Sequence, residues 1–200
     1  MPKIVDHDKQ RLLVAEAAWR VIRRDGMEHT SVRNIAKEAN LSTGSMRHYF
    51  STQSDLLLYA MNLVSERVRQ RYHQMPLTGS PLEDMKKILL ELLPNTDEKF
   101  AEMEVWFAFT VKSKTDPALK SLADNVYNEL RRMATYVITY LMELGLTSPD
   151  LNVELEIERL YALVDGLAIH AILRPESMNA KVMDDILTLH LASLCDSQES

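Results

Sequence analysis

The stretch from Thr30 to Phe50, TSVRNIAKEANLSTGSMRHYF, constrains this chain more than any other. Its apolar residues are spaced to close a small core between two short, crossed helices. Thr30 or Ser31 is expected to cap the first helix and Ser42 the second, because their hydroxyls accept hydrogen bonds from the first-turn N–H groups. Asn40 lies where the turn needs a positive φ, which Asn tolerates better than most residues. We therefore predict a helix-turn-helix.

The second of these helices is expected to expose short polar and basic side chains. A helix of this kind after a tight turn is typical of a recognition helix that enters the major groove of DNA. Gly44 would let the DNA backbone come close, and Arg47 is the best candidate for reading a base, since a guanidinium can pair with guanine. Phosphate or solvent is the alternative partner of Arg47. The predicted DNA-binding residues are Thr30, Ser31, Arg33, Ser42, Thr43, Gly44, Ser45, Arg47, His48 and Tyr49.

Four pieces of sequence between residues 12 and 57 belong to one pattern: the AAW-x-x-I helix, the T-S-V-R-x-I-A-K-E-A run, the L-S-x-G-S-M core and the closing H-Y-F. With them, this stretch resembles the DNA-binding domain of the TetR (tetracycline-repressor-like) family of bacterial transcriptional regulators. Arg47 stands where the family usually carries an aromatic residue, and Gln53 where a Lys often contacts phosphate. The resemblance implies a homodimeric regulator, expected to be a repressor, that a small inducer bound in the C-terminal domain releases from a near-palindromic operator.

The composition favours a helical globular protein. Of 200 residues, 46% are hydrophobic, whereas only five are Gly and seven Pro, which is unlike a β-sandwich. We expect an all-α fold of about nine helices, with a three-helix helix-turn-helix domain at residues 1–51 and a connecting helix at 52–75. Residues 76–200 are expected to form a larger helical domain for ligand binding and dimerisation.

Several helix boundaries are also readable. Gly26 is expected to end the first helix and Gly145 the seventh, because Gly readily adopts the left-handed conformation of a helix end. Ser148-Pro149 is expected to open the eighth helix and Asn179 to cap the ninth.

Charge is unevenly distributed along the chain. The formal net charge is −6, yet residues 1–71 hold 12 Lys and Arg against 8 Asp and Glu, which leaves 11 basic and 21 acidic residues for the rest. The basic end coincides with the predicted helix-turn-helix, as expected if only that end meets phosphates.

The segment from Leu160 to Leu173 is apolar on nearly every face. One neighbouring layer cannot cover such a helix, so we expect the eighth and ninth helices to meet their two-fold mates in a four-helix bundle. Burial of the eighth helix inside a monomer is the alternative. The predicted interface residues are Leu160, Leu163, Leu167, Ile186 and Leu189.

Aromatic residues of the sixth and seventh helices suggest a ligand cavity. Their rings could line an apolar pocket, with phenol hydroxyls to orient a ligand; ordinary core packing is the alternative for each one. Asp165 and His170 are interpreted first as hydrogen-bonded core or interface groups, then as ligand contacts, and last as catalytic groups. The predicted ligand-binding residues are Trp106, Phe109, Tyr127, Tyr136, Tyr140 and His170.

The sequence carries no motif for catalysis, for a metal or for a cofactor, so no enzymatic activity is expected. We expect no membrane span and no signal peptide, and the single Cys195 suits a reducing cytoplasm. The predicted function is therefore a cytoplasmic, DNA-binding transcriptional regulator. The alternative is a helical ligand-binding or adaptor protein without specific DNA binding.

Overall fold

Helix-forming sequence punctuated by capping residues gives an all-α chain, which confirms the predicted fold class. The computed structural model describes residues 7–25, 29 and 31–195, and these hold nine α-helices and no β-strand. None of the helices in these ranges is long and apolar enough to cross a membrane. The helices are α1 His7–Asp25, α2 Val32–Glu38, α3 Thr43–Arg47, α4 Gln53–Gln74, α5 Pro81–Leu90, α6 Asp97–Ser113, α7 Lys120–Glu143, α8 Val153–Leu173 and α9 Ala180–Leu194, with a 3-10 turn at Pro117–Leu119.

The chain forms two compact units. The first unit contains the described residues of Met1–Arg67 together with Glu104–Ala123, and the second contains Val68–Met103 and the described part of Asp124–Ser200. The unit boundaries therefore fall inside α4, α6 and α7. The units are defined by contacts between residues and not by what the segments do. The functional division at residues 51 and 75 therefore stays a prediction.

The core of the first unit joins α1 to the helix-turn-helix. Its buried residues are 1% exposed or less, and they come from α1, α2, α3, the link after α3 and the start of α4. Met46 is the only buried residue of α3, so this short helix depends on one side chain for its hold on the core. The core consists of Val14, Ala17, Ala18, Val21, Ile35, Ala36, Met46, Phe50 and Leu56.

Two polar contacts join the separate chain segments of the first unit. Ser54 Oγ on α4 donates a hydrogen bond to Asp116 Oδ2 at 2.5 Å, which lowers the pKa of Asp116. Arg23 Nε on α1 lies 3.7 Å from Glu104 Oε2 on α6. Residues 104–123 are thus tied to the same unit as the helix-turn-helix.

The core of the second unit is larger and draws on α5, α7, α8 and α9. Leu89, Val137, Leu160 and Leu187 represent these helices, and each is 1% exposed or less. A partly buried ionic group lies in the same unit. Arg71 Nη2 donates to Glu102 Oε2 at 2.7 Å, and Arg71 Nε donates to Glu91 Oε2 at 2.8 Å.

Of the four predicted boundaries, two agree with the structure, one is wrong and one lies outside the described residues. Gly145 follows α7 with a φ of 67°, and the side chain of Asn179 caps α9, both as predicted. The eighth helix does not open at Ser148-Pro149: it begins at Val153, where Asn152 accepts a hydrogen bond from Leu155 N–H. Asn152 is the cap of α8, whereas Ser148-Pro149 forms a turn in which Leu151 N–H donates to the Ser148 carbonyl at 3.1 Å. Gly26 lies outside the described residues.

Candidate nucleic-acid interface

Side-chain caps and one turn residue fix the helix-turn-helix. Ser31 Oγ accepts a hydrogen bond from Asn34 N–H at 3.2 Å at the start of α2. Asn40 has a φ of 55°, and just after it Leu41 N–H donates to the carbonyl of Ala36 at 2.8 Å. The turn between α2 and α3 therefore has the conformation that the sequence predicts.

The recognition helix α3 is short, and its start is held by Ser42. Ser42 Oγ accepts a hydrogen bond from Ser45 N–H at 3.0 Å. Inside, Met46 is fully buried. Outside, the exposed residues are Thr43, Gly44, Arg47 and His48. The helix of five residues, with its cap residue His48, thus has one side that packs on the core and one side that is polar and basic.

Gly44 is not required by packing within the protomer. A Cβ built at this position would meet only Ser42 Oγ, at 3.7 Å, which is an ordinary contact. Because Gly44 has no side chain, nothing protrudes from the outer face of α3 at this position, and a partner can approach the helix backbone closely.

The remaining predicted DNA-binding residues flank this face. Ser31, Arg33 and Ser42 are exposed, whereas Ser45 and Tyr49 are half-buried. Thr30 lies outside the described residues. The assignment of these residues to DNA stays a prediction.

The link from α3 to α4 is held by a reciprocal cap. Asp55 N–H donates to Thr52 Oγ1 at 3.0 Å, and Thr52 N–H donates to Asp55 Oδ2 at 3.1 Å, as expected of a capping box. The hydroxyl of Ser51 also donates to Asp55 and is the main reason that the pKa of this carboxyl is lowered. The first turn of α4 therefore begins at a defined position just after the recognition helix.

Ion pairs join α1 to α2 behind the recognition helix. Glu38 accepts hydrogen bonds from Arg20 Nε at 2.9 Å and from Arg24 Nη1 at 2.8 Å, and these two bonds lower the pKa of Glu38. Arg24 also binds Asp25. The two arginines are thus engaged by carboxylates of the same unit.

A polar cleft of about 440 Å³ opens at the end of α3. It contains three of the predicted DNA-binding residues, and also Arg11 on α1, which the sequence analysis missed. The only sequence signal for Arg11 is its place one turn before Val14, the first residue of the α1 core face. The lining residues are Arg11, Arg47, His48, Tyr49, Ser51, Asp55, Leu58, Tyr59 and Asn62.

The predicted ligand-binding residues are divided between the units. In the first unit, Phe109 is buried and Trp106 is half-buried. In the second unit, Tyr140 is half-buried, and its ring stacks on Tyr136 with 5.9 Å between centroids. Tyr127, Tyr136 and His170 are exposed. Their role in ligand binding stays a prediction.

A carboxylate and two phenol rings meet between α7 and α8, and sequence analysis did not group them. The rings of Tyr127 and Tyr161 lie edge to face, with 5.4 Å between centroids. Tyr161 is hydrogen-bonded to Asp165, although burial still raises the pKa of Asp165 above its ordinary value. Among the described residues, no group of three or more His, Cys, Asp or Glu side chains could hold a metal ion.

The predicted interface residues differ in exposure. Leu160 and Leu167 are 0% and 4% exposed and belong to the core of their own protomer. Their side chains therefore pack beneath the exposed residues of α8. Leu163 and Ile186 are partly buried against that core, whereas Leu189 is 73% exposed. Leu155 and Leu173, which the prediction omitted, are also exposed on α8. Single exposed leucines on α8 and on α9 thus remain uncovered in one protomer.

Comparison with family models matches both parts of the chain. Residues 14–60 match the model of bacterial regulatory proteins of the tetR family, and residues 81–196 match the C-terminal domain of BetI-type transcriptional repressors. The chain belongs to the TetR family. It is a DNA-binding transcriptional repressor with a helix-turn-helix, which confirms the predicted family and function.

Relatives support this assignment over the whole length. The chain is 44% identical to the HTH-type transcriptional regulator PksA of Bacillus subtilis, over all of this chain and 98% of that protein. It is 28% identical to the HTH-type transcriptional regulator BetI of Escherichia coli K12, over 95% of each chain. These TetR-family relatives are named as regulators rather than as enzymes.

Solved structures share the fold. A transcriptional regulator from Rhodococcus sp. Rha1 has a TM-score of 0.80 and 26% identity over 92% of this chain and 95% of that one. A transcriptional regulator from Saccharomonospora viridis, solved in complex with choline, has a TM-score of 0.76 and 23% identity, over 93% and 95% of the two chains.

Proposed function

We propose that this TetR-family repressor binds a near-palindromic operator as a homodimer, with one α3 from each protomer in successive major grooves. The observation that carries the proposal is the two-sided α3, in which Met46 anchors the helix while Thr43, Gly44, Arg47 and His48 face outward. Dimeric helix-turn-helix proteins bind half-sites about 34–36 Å apart, or a multiple of that distance.

The exposed leucines of α8 and α9 support the homodimer. Leu155, Leu173 and Leu189 are each more than 60% exposed in one protomer, and a self-complementary contact with a second copy would bury them. Light scattering at micromolar protein is expected to give twice the mass of the chain. The Leu189→Glu variant should shift that mass toward the monomer, and a monomeric wild type would refute the homodimer.

The second unit is proposed to bind a small inducer that weakens operator binding. Asp165 together with the rings of Tyr127 and Tyr161 offers a carboxylate beside aromatic groups, a combination that suits an organic cation. Choline, the ligand of the Saccharomonospora viridis regulator, is therefore a rational first compound. By linkage, ligand and operator must weaken each other by the same factor. Equal choline affinity with and without operator would reject it as an inducer.

Selection from a random duplex library tests operator binding directly. Bound DNA is recovered over several rounds and sequenced. An enriched inverted repeat, bound less tightly as salt concentration rises, is the expected result. Absence of any enriched sequence at low salt would contradict the proposal.

Arg47 and Arg33 are expected to contribute differently to operator binding. Arg47→Ala should remove a base contact and relax preference at one base pair, at a cost of about 1–3 kcal/mol of discrimination. Arg33→Ala should weaken all sequences alike, since phosphate contacts carry no sequence information. Binding measured against a panel of single-base operator variants distinguishes the two roles. Identical specificity profiles would contradict this assignment.

A further inference from the structure

Arg11 on α1 is held between two aromatic rings beside the recognition helix. Its guanidinium carbon lies 5.1 Å from the ring centroid of Phe50 and 4.7 Å from that of Tyr59. These two rings also contact each other, with 5.4 Å between centroids. Phe50 is 1% exposed, so one of the two rings that contact Arg11 belongs to the core of the first unit. The cation is therefore positioned before any partner arrives.

The hydrogen-bonding capacity of Arg11 is not used up within the protomer. In the part of the chain that the structure describes, Arg11 Nε is buried and donates to no acceptor. Ring faces attract the charge of a guanidinium but do not replace the directed acceptors that its N–H groups prefer. An oxyanion is the chemical class that matches such a planar set of donors.

The cleft next to Arg11 leads to the DNA-facing end of α3. Arg47, His48 and Tyr49 line the same space of about 440 Å³. Asp55 also lines it and places a negative charge there, but its carboxylate already accepts hydrogen bonds from Ser51 and Thr52. The guanidinium groups of Arg11 and Arg47 are therefore the cationic groups that line this cleft.

We propose that Arg11 is a DNA-contacting residue, and that this cleft receives a phosphate of the operator backbone next to the bases that α3 reads. The proposal rests on the proposed function, because it needs α3 in the major groove. Phe50 and Tyr59 act as positioning residues: they hold the guanidinium so that little side-chain entropy is lost when the phosphate arrives. The contact adds affinity and register, and it leaves base preference unchanged.

The salt dependence of binding by the full-length protein tests this contact. Each phosphate neutralised contributes about 0.9 to the slope of log K against log salt concentration. The Arg11→Met variant is therefore expected to lower the slope by about 1.8 for a dimer, and the inverted repeat that it selects should stay the same. Arg11→Lys keeps the charge and should keep most of the slope.

Controls separate a phosphate contact from a structural role. Arg132→Met removes one positive charge from an exposed residue of the second unit and should leave the slope unchanged. Thermal unfolding reports whether each variant is folded. If Arg11→Met is unfolded, Arg11→Gln, which is uncharged but keeps amide donors, gives the same comparison.

Two results would overturn the proposal. One is an unchanged salt slope in a folded Arg11→Met or Arg11→Gln variant, which would show that Arg11 contributes only to packing. The other is Arg11-dependent binding of inorganic phosphate that persists on the DNA-bound protein, which would assign the cleft to a free anion. Either result leaves the enriched inverted repeat of the wild type intact, whereas failure of the proposed function would remove that repeat.

Discussion

The two units use polar groups in opposite ways. In the first unit, caps and a small core hold α3 so that Arg47 and His48 point away from the protomer. In the second unit, Arg71 donates inward to Glu91 and to Glu102, whose side chain is only 5% exposed. The difference shows which polar groups are accessible to a partner: Arg47 and His48 are exposed, whereas the groups around Arg71 bind one another within the protomer.

The largest effect is expected from breaking the ionic group of the second unit. Arg71→Ala leaves Glu102 buried without its bidentate partner, whose donors lie at 3.1 and 2.7 Å. Removing one partner of a fully buried pair costs about 3–5 kcal/mol; since Arg71 is 26% exposed, we expect a loss at the lower end of that range. Chemical denaturation measures this loss. The Arg71→Met, Glu102→Gln double variant should recover much of the stability. A single variant that is as stable as wild type would show that the group contributes nothing.

Truncating the anchor of α3 should have a more local effect. Met46→Ala removes the only buried side chain of this helix, and buried Met→Ala changes cost about 2–5 kcal/mol. Because α3 is short, we expect hydrogen exchange to accelerate in α2 and α3, together with loss of operator binding.

The matched control for Met46 is Leu187→Ala in the core of the second unit, where Leu187 is fully buried. Exchange in α2 and α3 should stay slow in this variant. Equal acceleration of α2 and α3 in both variants would mean that the two cores unfold as one.

The smallest effect concerns pH and His190 on α9. Burial, and then the positive charge of Arg159, lowers the pKa of His190 to about 4, while Arg159 Nη2 donates to His190 Nδ1 at 3.3 Å. The folded state disfavours the protonated ring, so stability is present above the unfolded pKa of about 6.5 and is lost as pH falls toward 4. The slope is at most about 1.4 kcal/mol per pH unit.

Denaturation midpoints between pH 7 and 4.5 measure this dependence. The His190→Gln variant should lose the part of the pH dependence that His190 causes. Subtracting the variant's curve from that of the wild type removes the contribution of carboxylates. An identical pH dependence in wild type and variant would assign it to other groups.

Local signals made the helix-turn-helix readable from the sequence. The Ser31 and Ser42 caps and the positive φ at Asn40 each depend on neighbours within five residues. The exposure of Arg47 follows from the same short pattern, because Met46 fixes which side of α3 faces the core.

Contacts between distant parts of the chain were not readable. Arg11 and Tyr59 are 48 positions apart, so no local pattern brings their side chains together. Leu160 and Leu163 look alike in an apolar helix, yet Leu160 is fully buried and Leu163 only partly. Asn152 and Ser148-Pro149 are both helix-start signals in the sequence, but the side chain of Asn152 caps α8 and Ser148-Pro149 forms a turn.

The link of residues 104–123 to the DNA-binding unit matters for anyone who builds hybrid repressors. A graft that exchanges the segment before residue 75 alone would give Ser54 and Arg23 new neighbours in place of Asp116 and Glu104. A working chimaera should therefore carry Glu104–Ala123 along with the transplanted helix-turn-helix, or come from a donor with the same two acidic residues. The part to be exchanged therefore consists of two segments of the chain rather than one.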